Sequence, residues 1–263
     1  MMNAIKIKLR NMILMIVAII VVVSAIFVYL LVFVNGSATT AIGNNWYNIK
    51  AASPIINNGK LWVNFAGIEG CEYCAIERYA IFDALSNFGN WTYYGKIINI
   101  STLPVDNYSN TPEVNTLFYH AYEGDWTLNF LNPHLIYTSK YVNFTSEELL
   151  NDQKPPTPLQ HLTTLENYYM SKYDPNGAVP FSLIGGNFFE VGAGSSLVSH
   201  GTPIIFALNG TGYMPTYIIT QFNTSGSIIN KGITEEANYI TAMICKDIKN
   251  SAPVCSSQSL PKV

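Results

Sequence analysis

Residues 12–34 read MILMIVAIIVVVSAIFVYLLVFV, an apolar run with one serine and no charge. No other stretch of the chain restricts the possible folds so strongly. At about 1.5 Å of rise per residue a helix over this run spans a hydrocarbon core of roughly 30 Å. Buried helices of globular cores rarely run so long without a polar face. The run is therefore expected to be a transmembrane anchor. A cleaved signal peptide is the rival, since Gly36 and Ala38 suit a small-residue cleavage site, but the apolar region of a signal peptide spans only about 7–15 residues. Lys6, Lys8 and Arg10 precede the run, and residues 35–48 contain neither Lys nor Arg. Cations stay on the cytoplasmic side. The expected layout is a cytoplasmic N-terminus at 1–11, a membrane anchor at 12–34, a polar tether at 35–58 and one extracytoplasmic domain at 59–263.

Other features agree with a location outside the cytoplasm. The four cysteines form two pairs close in sequence, Cys71 with Cys74 and Cys245 with Cys255, as expected where disulfides persist. Asn-x-Ser/Thr acceptor sites occur at Asn90, Asn99, Asn107, Asn143, Asn209 and Asn223, the pattern of a surface glycoprotein. A net charge of −3 provides no basic footprint for nucleic acid.

The body opens at the turn signal Asn57-Asn58-Gly59. Lys60 to Ala66 is nearly all apolar and reads as a strand buried on both faces. A short glycine-containing loop, Gly67 to Gly70, leads to a helix expected from about Cys71 to Phe88, with Ala75, Tyr79 and Phe82 in one stripe and Gly89 as its stop. Lys96 to Ile100 reads as the next strand, which would complete a βαβ unit. Asn115 to Tyr122 and Ile136 to Phe144 are further candidate strands, and Thr163 to Tyr173 suits a short helix. Val179 to Ile184, Gly185-Gly186 and Asn187 to Val191 read as strand, tight turn and partner strand. The last helix is expected to start at Thr234 as N-cap, with Glu235 and Glu236 in its first turn and Ala237, Ile240, Ile244 and Ile248 on one face.

Within this order the Cys-Glu-Tyr-Cys motif sits between a buried strand and the first turn of a helix. The helix N-terminus carries partial positive charge and free N–H groups, which stabilise a thiolate and lower its pKa. Cys71 is the expected attacking sulfur. Cys74, nearly one turn deeper, is placed to resolve a mixed disulfide. Cys245 and Cys255 flank the end of the last helix and would close a small loop, which suits a structural staple rather than a second active site.

The stretch resembles the thioredoxin superfamily, and is most similar to a family of archaeal membrane-anchored proteins of unknown function. The residues that carry the resemblance are Gly67, Cys71, Tyr73, Cys74, Ala75, Glu77 and Arg78, then Ala84, Leu85, Ser86, Phe88 and Gly89. The likeness extends over most of residues 60–255 and is weakest from about 102 to 160. It implies an α/β thioredoxin-like sandwich, a central mixed sheet flanked by helices. It also implies a cis-proline opposite the cysteines, which falls at Val179-Pro180 and would dock a substrate backbone. Cys245 and Cys255 correspond to the C-terminal cysteine pair of the same family. The function expected is thiol–disulfide exchange on cysteines of exported proteins. It would use no cofactor beyond the cysteine pair, and an unidentified redox partner would regenerate it.

Two other readings compete. A zinc site built on Cys71 and Cys74 lacks paired histidines, since His120, His134, His161 and His200 are scattered, so no metal is expected. A non-enzymatic surface binding domain would use the same scaffold with both cysteine pairs as permanent disulfides, and the many Tyr, Asn and Thr residues suit it.

Glu72 departs from the proline or glycine common between such cysteines in well-known oxidants, and Glu69 lies just upstream. An ionised carboxylate opposes a neighbouring thiolate, so Glu72 should make the couple more reducing than in those oxidants. Equilibration of the protein with thiol–disulfide buffers should show the Glu72→Ala variant shifted towards oxidising potentials. An unshifted potential would remove Glu72 from the tuning role.

Overall fold

A computed structural model describes residues 39–50, 53–105, 108–109, 116–120, 126–151, 156–198 and 215–263, with only the backbone of 108–109 and 119–120. The apolar run 12–34, its cations Lys6, Lys8 and Arg10, residues 35–38, Asn107, Asn209 and His200 lie outside the described residues, as does the side chain of His120. Among the described residues no helix is long and apolar enough to cross a membrane. Thr39–Val263 form one compact unit.

Asn44 and Asn45 both adopt positive φ, 52° and 67°, the geometry a two-residue hairpin turn requires and asparagine tolerates. They fold β1 (Thr39–Gly43) back on β2 (Trp46–Ile49). Much of the expected tether is therefore part of the domain, and Trp46 and Ile49 are buried. The short β3 (Ile56–Asn57) turns into β4 (Lys60–Gly67). Along β4, Leu61, Val63 and Phe65 enter one apolar cluster while Trp62 and Ala66 enter the other. This alternation places a core on each face of the strand, and each large side chain so buried contributes about 1.5–3 kcal/mol.

Helix α1 (Glu72–Ser86) follows, with Cys71 as its N-cap and Asn87 as its C-cap. It is buried almost all round and packs on the long C-terminal helix and on strands of the two small sheets described below. Gly89 is not the stop expected. It opens β5 (Gly89–Tyr93), where a Cβ would collide with the Thr138 carbonyl oxygen, so the glycine serves close strand approach.

The strand after the helix also departs from expectation. β6 (Lys96–Ile98) pairs antiparallel with β5 in a separate small sheet and does not complete a βαβ unit with β4. Three short strands, β7 (Tyr108–Ser109), β8 (Phe118–His120) and β9 (Trp126–Leu128), form another small sheet. The single strand expected over 136–144 is two: β10 (Leu135–Ser139), which pairs with β5, and β11 (Val142–Glu148). The corner between them is held by Ser139 Oγ, which accepts from the Tyr141 and Val142 N–H groups at 3.0 and 3.1 Å. β11 is the parallel partner of β4, in register from Val142 opposite Leu61 to Glu148 opposite Gly67.

Helix α2 (Thr164–Tyr173) starts with a capping box between Thr163 and Glu166. β12 (Phe181–Ile184) and β13 (Phe188–Val191) form the expected hairpin around Gly185-Gly186. The main sheet runs β1-β2-β13-β12-β4-β11, with β3 on the flank of β4. Helices α3 (Ser195–Val198), α4 (Pro215–Phe222) and α5 (Ile228–Asp247) complete the chain. The N-cap of α5 is Ser227, whose Oγ accepts from the Asn230 N–H at 3.0 Å. Thr234, Glu235 and Glu236 therefore lie inside the helix, which runs through Gly232. The described chain is thus a mixed α/β fold with sheets flanked by helices.

A disulfide joins Cys245 in the last turn of α5 to Cys255, with Cα atoms 5.4 Å apart. Closing a loop this short removes about 2–3 kcal/mol of unfolded-state freedom. In denaturant melts the Cys245→Ser/Cys255→Ser double variant should lose about 2–3 kcal/mol of unfolding free energy and unfold at a lower midpoint.

Candidate active site

β4 delivers the chain to the site and the loop after it is pinned at several points. Leu149 donates its N–H to Gly67 O at 2.8 Å, Glu69 donates to Leu150 O at 3.0 Å and Cys71 donates to Ile68 O at 3.3 Å. Cys71 has extended dihedrals, φ −91° and ψ 119°, and its sulfur accepts the Cys74 N–H at 3.1 Å. The thiol thus occupies the position that a serine or aspartate oxygen takes in an ordinary helix cap. Cys71 is partly exposed, whereas Cys74 is wholly buried, and both are free thiols. Tyr73 between them is 41% exposed.

The second element of the site comes from across the sheet. The Val179–Pro180 peptide bond is cis and immediately precedes β12, the neighbour of β4. The Val179 carbonyl oxygen lies 3.7 Å from Cys71 Sγ, where the thiol can donate to it. Cys71, Cys74, Val179 and Pro180 are therefore brought together. Cys245 and Cys255 are bonded to each other at the far end of α5.

The two thiols are driven in opposite directions. Hydrogen bonding with the Cys74 thiol is the largest influence on Cys71 and lowers its pKa; burial opposes this, and the Cys74 N–H, the Arg78 guanidinium and the Tyr73 N–H add to the lowering. Burial pushes Cys74 well above the usual thiol range, and its hydrogen bond to Cys71 pushes the same way. The net direction for Cys71 is downward with the half-buried Glu72 in the first turn of the helix.

Arg78 is the feature that sequence reasoning undervalued. It is fully buried, seven residues beyond Cys71 on α1. Its Nε and Nη2 donate to the two carboxylate oxygens of Glu148 at 3.0 and 2.6 Å. Nη1 donates to Thr127 Oγ1 at 3.2 Å and Nη2 to Ile68 O at 3.3 Å, while the guanidinium stacks 5.3 Å from the Phe65 ring centre. The signal was an arginine at i+7 from Cys71, the one cation on a helix whose other charged residues are Glu72, Glu77 and Asp83. Its partner Glu148 could not be read from sequence, because it lies at the end of the unexpected parallel strand β11.

The geometry provides one accessible, acidified sulfur at a helix N-terminus with a second sulfur directly behind it. A family described as Domain of unknown function (DUF929) matches residues 48–246. No curated protein and no solved structure is a significant match.

The Cys71 thiol is lowered and the Cys74 thiol raised, so in the wild-type chain Cys71 should be alkylated first, with its half-maximal rate at a lower pH than that of an unstructured cysteine peptide measured alongside. Replacing Arg78 and Glu148 together, as Arg78→Met/Glu148→Gln, leaves no buried charge unpaired. The alkylation midpoint should then move to higher pH, and an unmoved midpoint would show that the guanidinium does not act on the sulfur.

Proposed function

The chain belongs to the DUF929 family, and we propose that it is a membrane-anchored thiol–disulfide oxidoreductase of thioredoxin-like fold acting on exported proteins. The observation that carries this reading is the placement of Cys71. Its sulfur caps α1, faces the Val179 carbonyl ahead of cis-Pro180, and stands in front of buried Cys74. The fold reading is supported by a Cys-x-x-Cys helix that follows a central strand and is flanked by a parallel partner and an antiparallel hairpin. The extracytoplasmic location is supported by the uncharged run 12–34 behind Lys6, Lys8 and Arg10 and by the Cys245–Cys255 disulfide. Exposure of the acceptor residues Asn90, Asn99 and Asn223 adds to it.

In the reducing direction, the Cys71 thiolate attacks one sulfur of a substrate disulfide. A Cys71–substrate S–S bond forms as the substrate's own S–S bond breaks, and the departing sulfur leaves as a thiolate that takes up a proton. Cys74 then loses its proton and attacks Cys71 Sγ, releasing the second substrate thiol and leaving a Cys71–Cys74 disulfide. Two electrons pass from the cysteine pair to the substrate, and a dithiol redox partner restores the pair by the same exchange. The steps run in reverse make the protein an oxidant. The raised pKa of Cys74 keeps it a thiol until the mixed disulfide has formed, and the Val179 main chain offers an edge for an extended substrate segment.

Exchange between the full chain and a disulfide-containing peptide, with dithiothreitol as electron source, tests this. Wild type should catalyse peptide reduction, Cys71→Ser should lose it, and Cys74→Ser should accumulate a mixed disulfide through Cys71. Equal background rates in wild type and Cys71→Ser would overturn the reading in favour of a binding domain.

A further inference from the structure

Three glutamates far apart in sequence meet inside the domain: Glu77 on α1, Glu190 on β13 and Glu236 on α5. All three are fully buried, and one carboxylate oxygen from each lies within 4.8 Å of the other two. Their hydrogen bonding is incomplete. Glu236 Oε1 accepts the Trp46 indole N–H at 2.6 Å and Oε2 accepts the Asn44 amide. Glu77 Oε2 accepts a long bond from the Gly194 N–H at 3.4 Å. Glu77 Oε1 and both oxygens of Glu190 have no hydrogen-bond partner among the described residues.

A neutral side chain points to the same gap. Ser182 is the cross-strand partner of Glu190 in the β12–β13 ladder, so the two side chains share a face of the sheet. Ser182 is 3% exposed and its hydroxyl is also without a partner. Gly194 borders the cluster, where a Cβ would collide with Glu236 Oε2. Burial raises all three carboxyl pKa values, that of Glu77 to about 8, and Glu236 and Glu77 raise Glu190 further. No cationic side chain among the described residues is a cause of shift at Glu77 or Glu190. Buried carboxylates left without donors or countercharge cost several kcal/mol each.

An all-oxygen donor set suits a hard cation rather than zinc or copper. Oxygens at about 2.3–2.6 Å from a calcium ion lie up to about 5 Å apart, which accommodates the observed spacing; magnesium, at about 2.0–2.1 Å, needs them drawn closer. We propose that Glu77, Glu190 and Glu236 form a binding site for one hard divalent cation of the calcium, manganese and magnesium class, with Ser182 on the same face to accept contact from an ion-bound water. The ion joins α1, β13 and α5 at one point. Asn44 and Trp46, at and beside the β1–β2 turn, hold Glu236 towards it. The inference is independent of the thiol chemistry.

The full chain in detergent, stripped by chelator, is to be titrated separately with Ca²⁺, Mn²⁺ and Mg²⁺ while binding and thermal unfolding are followed. At least one of these ions should bind saturably at one per chain and raise the unfolding midpoint. Asn44→Ala, which leaves Glu236 held by Trp46 alone, should weaken that binding about 10–100-fold, and a folded Glu190→Gln should abolish the midpoint response. Where Glu190→Gln does not fold, anomalous scattering from Mn²⁺ in wild-type crystals locates the ion. Failure of all three ions to bind or to move the midpoint overturns the proposal and leaves the cluster neutralised by protons. Binding that survives in a folded Glu190→Gln, or an ion located elsewhere, overturns it equally.

Discussion

The guanidinium of Arg78 stands where the central sheet, the cysteine-bearing helix and the inserted strands meet. It grips Glu148 at the end of β11, lies over Phe65 of β4, donates to Thr127 of β9 and reaches Ile68 in the loop before the cysteines. A buried ion pair of this kind adds little net stability, but losing one partner leaves a charge stranded at a cost of about 3–5 kcal/mol. It therefore fixes where α1 can sit relative to the parallel strand pair. Because the same charge acts on both sulfurs, the contact that fixes the helix also sets the field in which the thiols ionise.

The asymmetry of the two cysteines follows from one turn of helix. The residue at the cap keeps extended dihedrals and turns its sulfur towards the exposed helix end, where it meets an N–H. Three residues later the chain is already inside the core. The thiols differ in exposure, in hydrogen bonding and in the direction of their pKa values without any difference in chemistry. The Val179 carbonyl accepts from the outer sulfur, so the third component of the site also distinguishes the two.

Local patterns in the sequence were informative where the structure is local. The buried strand over 60–66, the helix after the cysteines, the short helix over 163–173 and the Gly185-Gly186 hairpin are each specified by neighbouring residues. What escaped depends on distant partners. β11 joins β4 only after two small sheets have been inserted, so the nearer strand, β6, reads as the parallel partner in sequence. The start of α5 lies upstream of Thr234 because Ser227 provides the cap, and Glu235-Glu236 resemble a first turn although Trp46 provides Glu236 with a buried donor. The carboxylate cluster was illegible for the same reason. Each of its three acids looks like a solvated surface charge until a strand and two helices are brought together.

The Cys245–Cys255 bridge has a further consequence. Cys245 is 3% exposed and belongs to the apolar core, whereas Cys255 is only partly covered. Of the two residues Cys255 is the less covered, and attack of a small thiol on its sulfur expels Cys245 as an anion into hydrocarbon surroundings. Such a leaving group is a poor one, because desolvation raises its proton affinity. The chain's own crosslink is thereby insulated from the reagents that would scramble it, by the position of one sulfur rather than by any added shield.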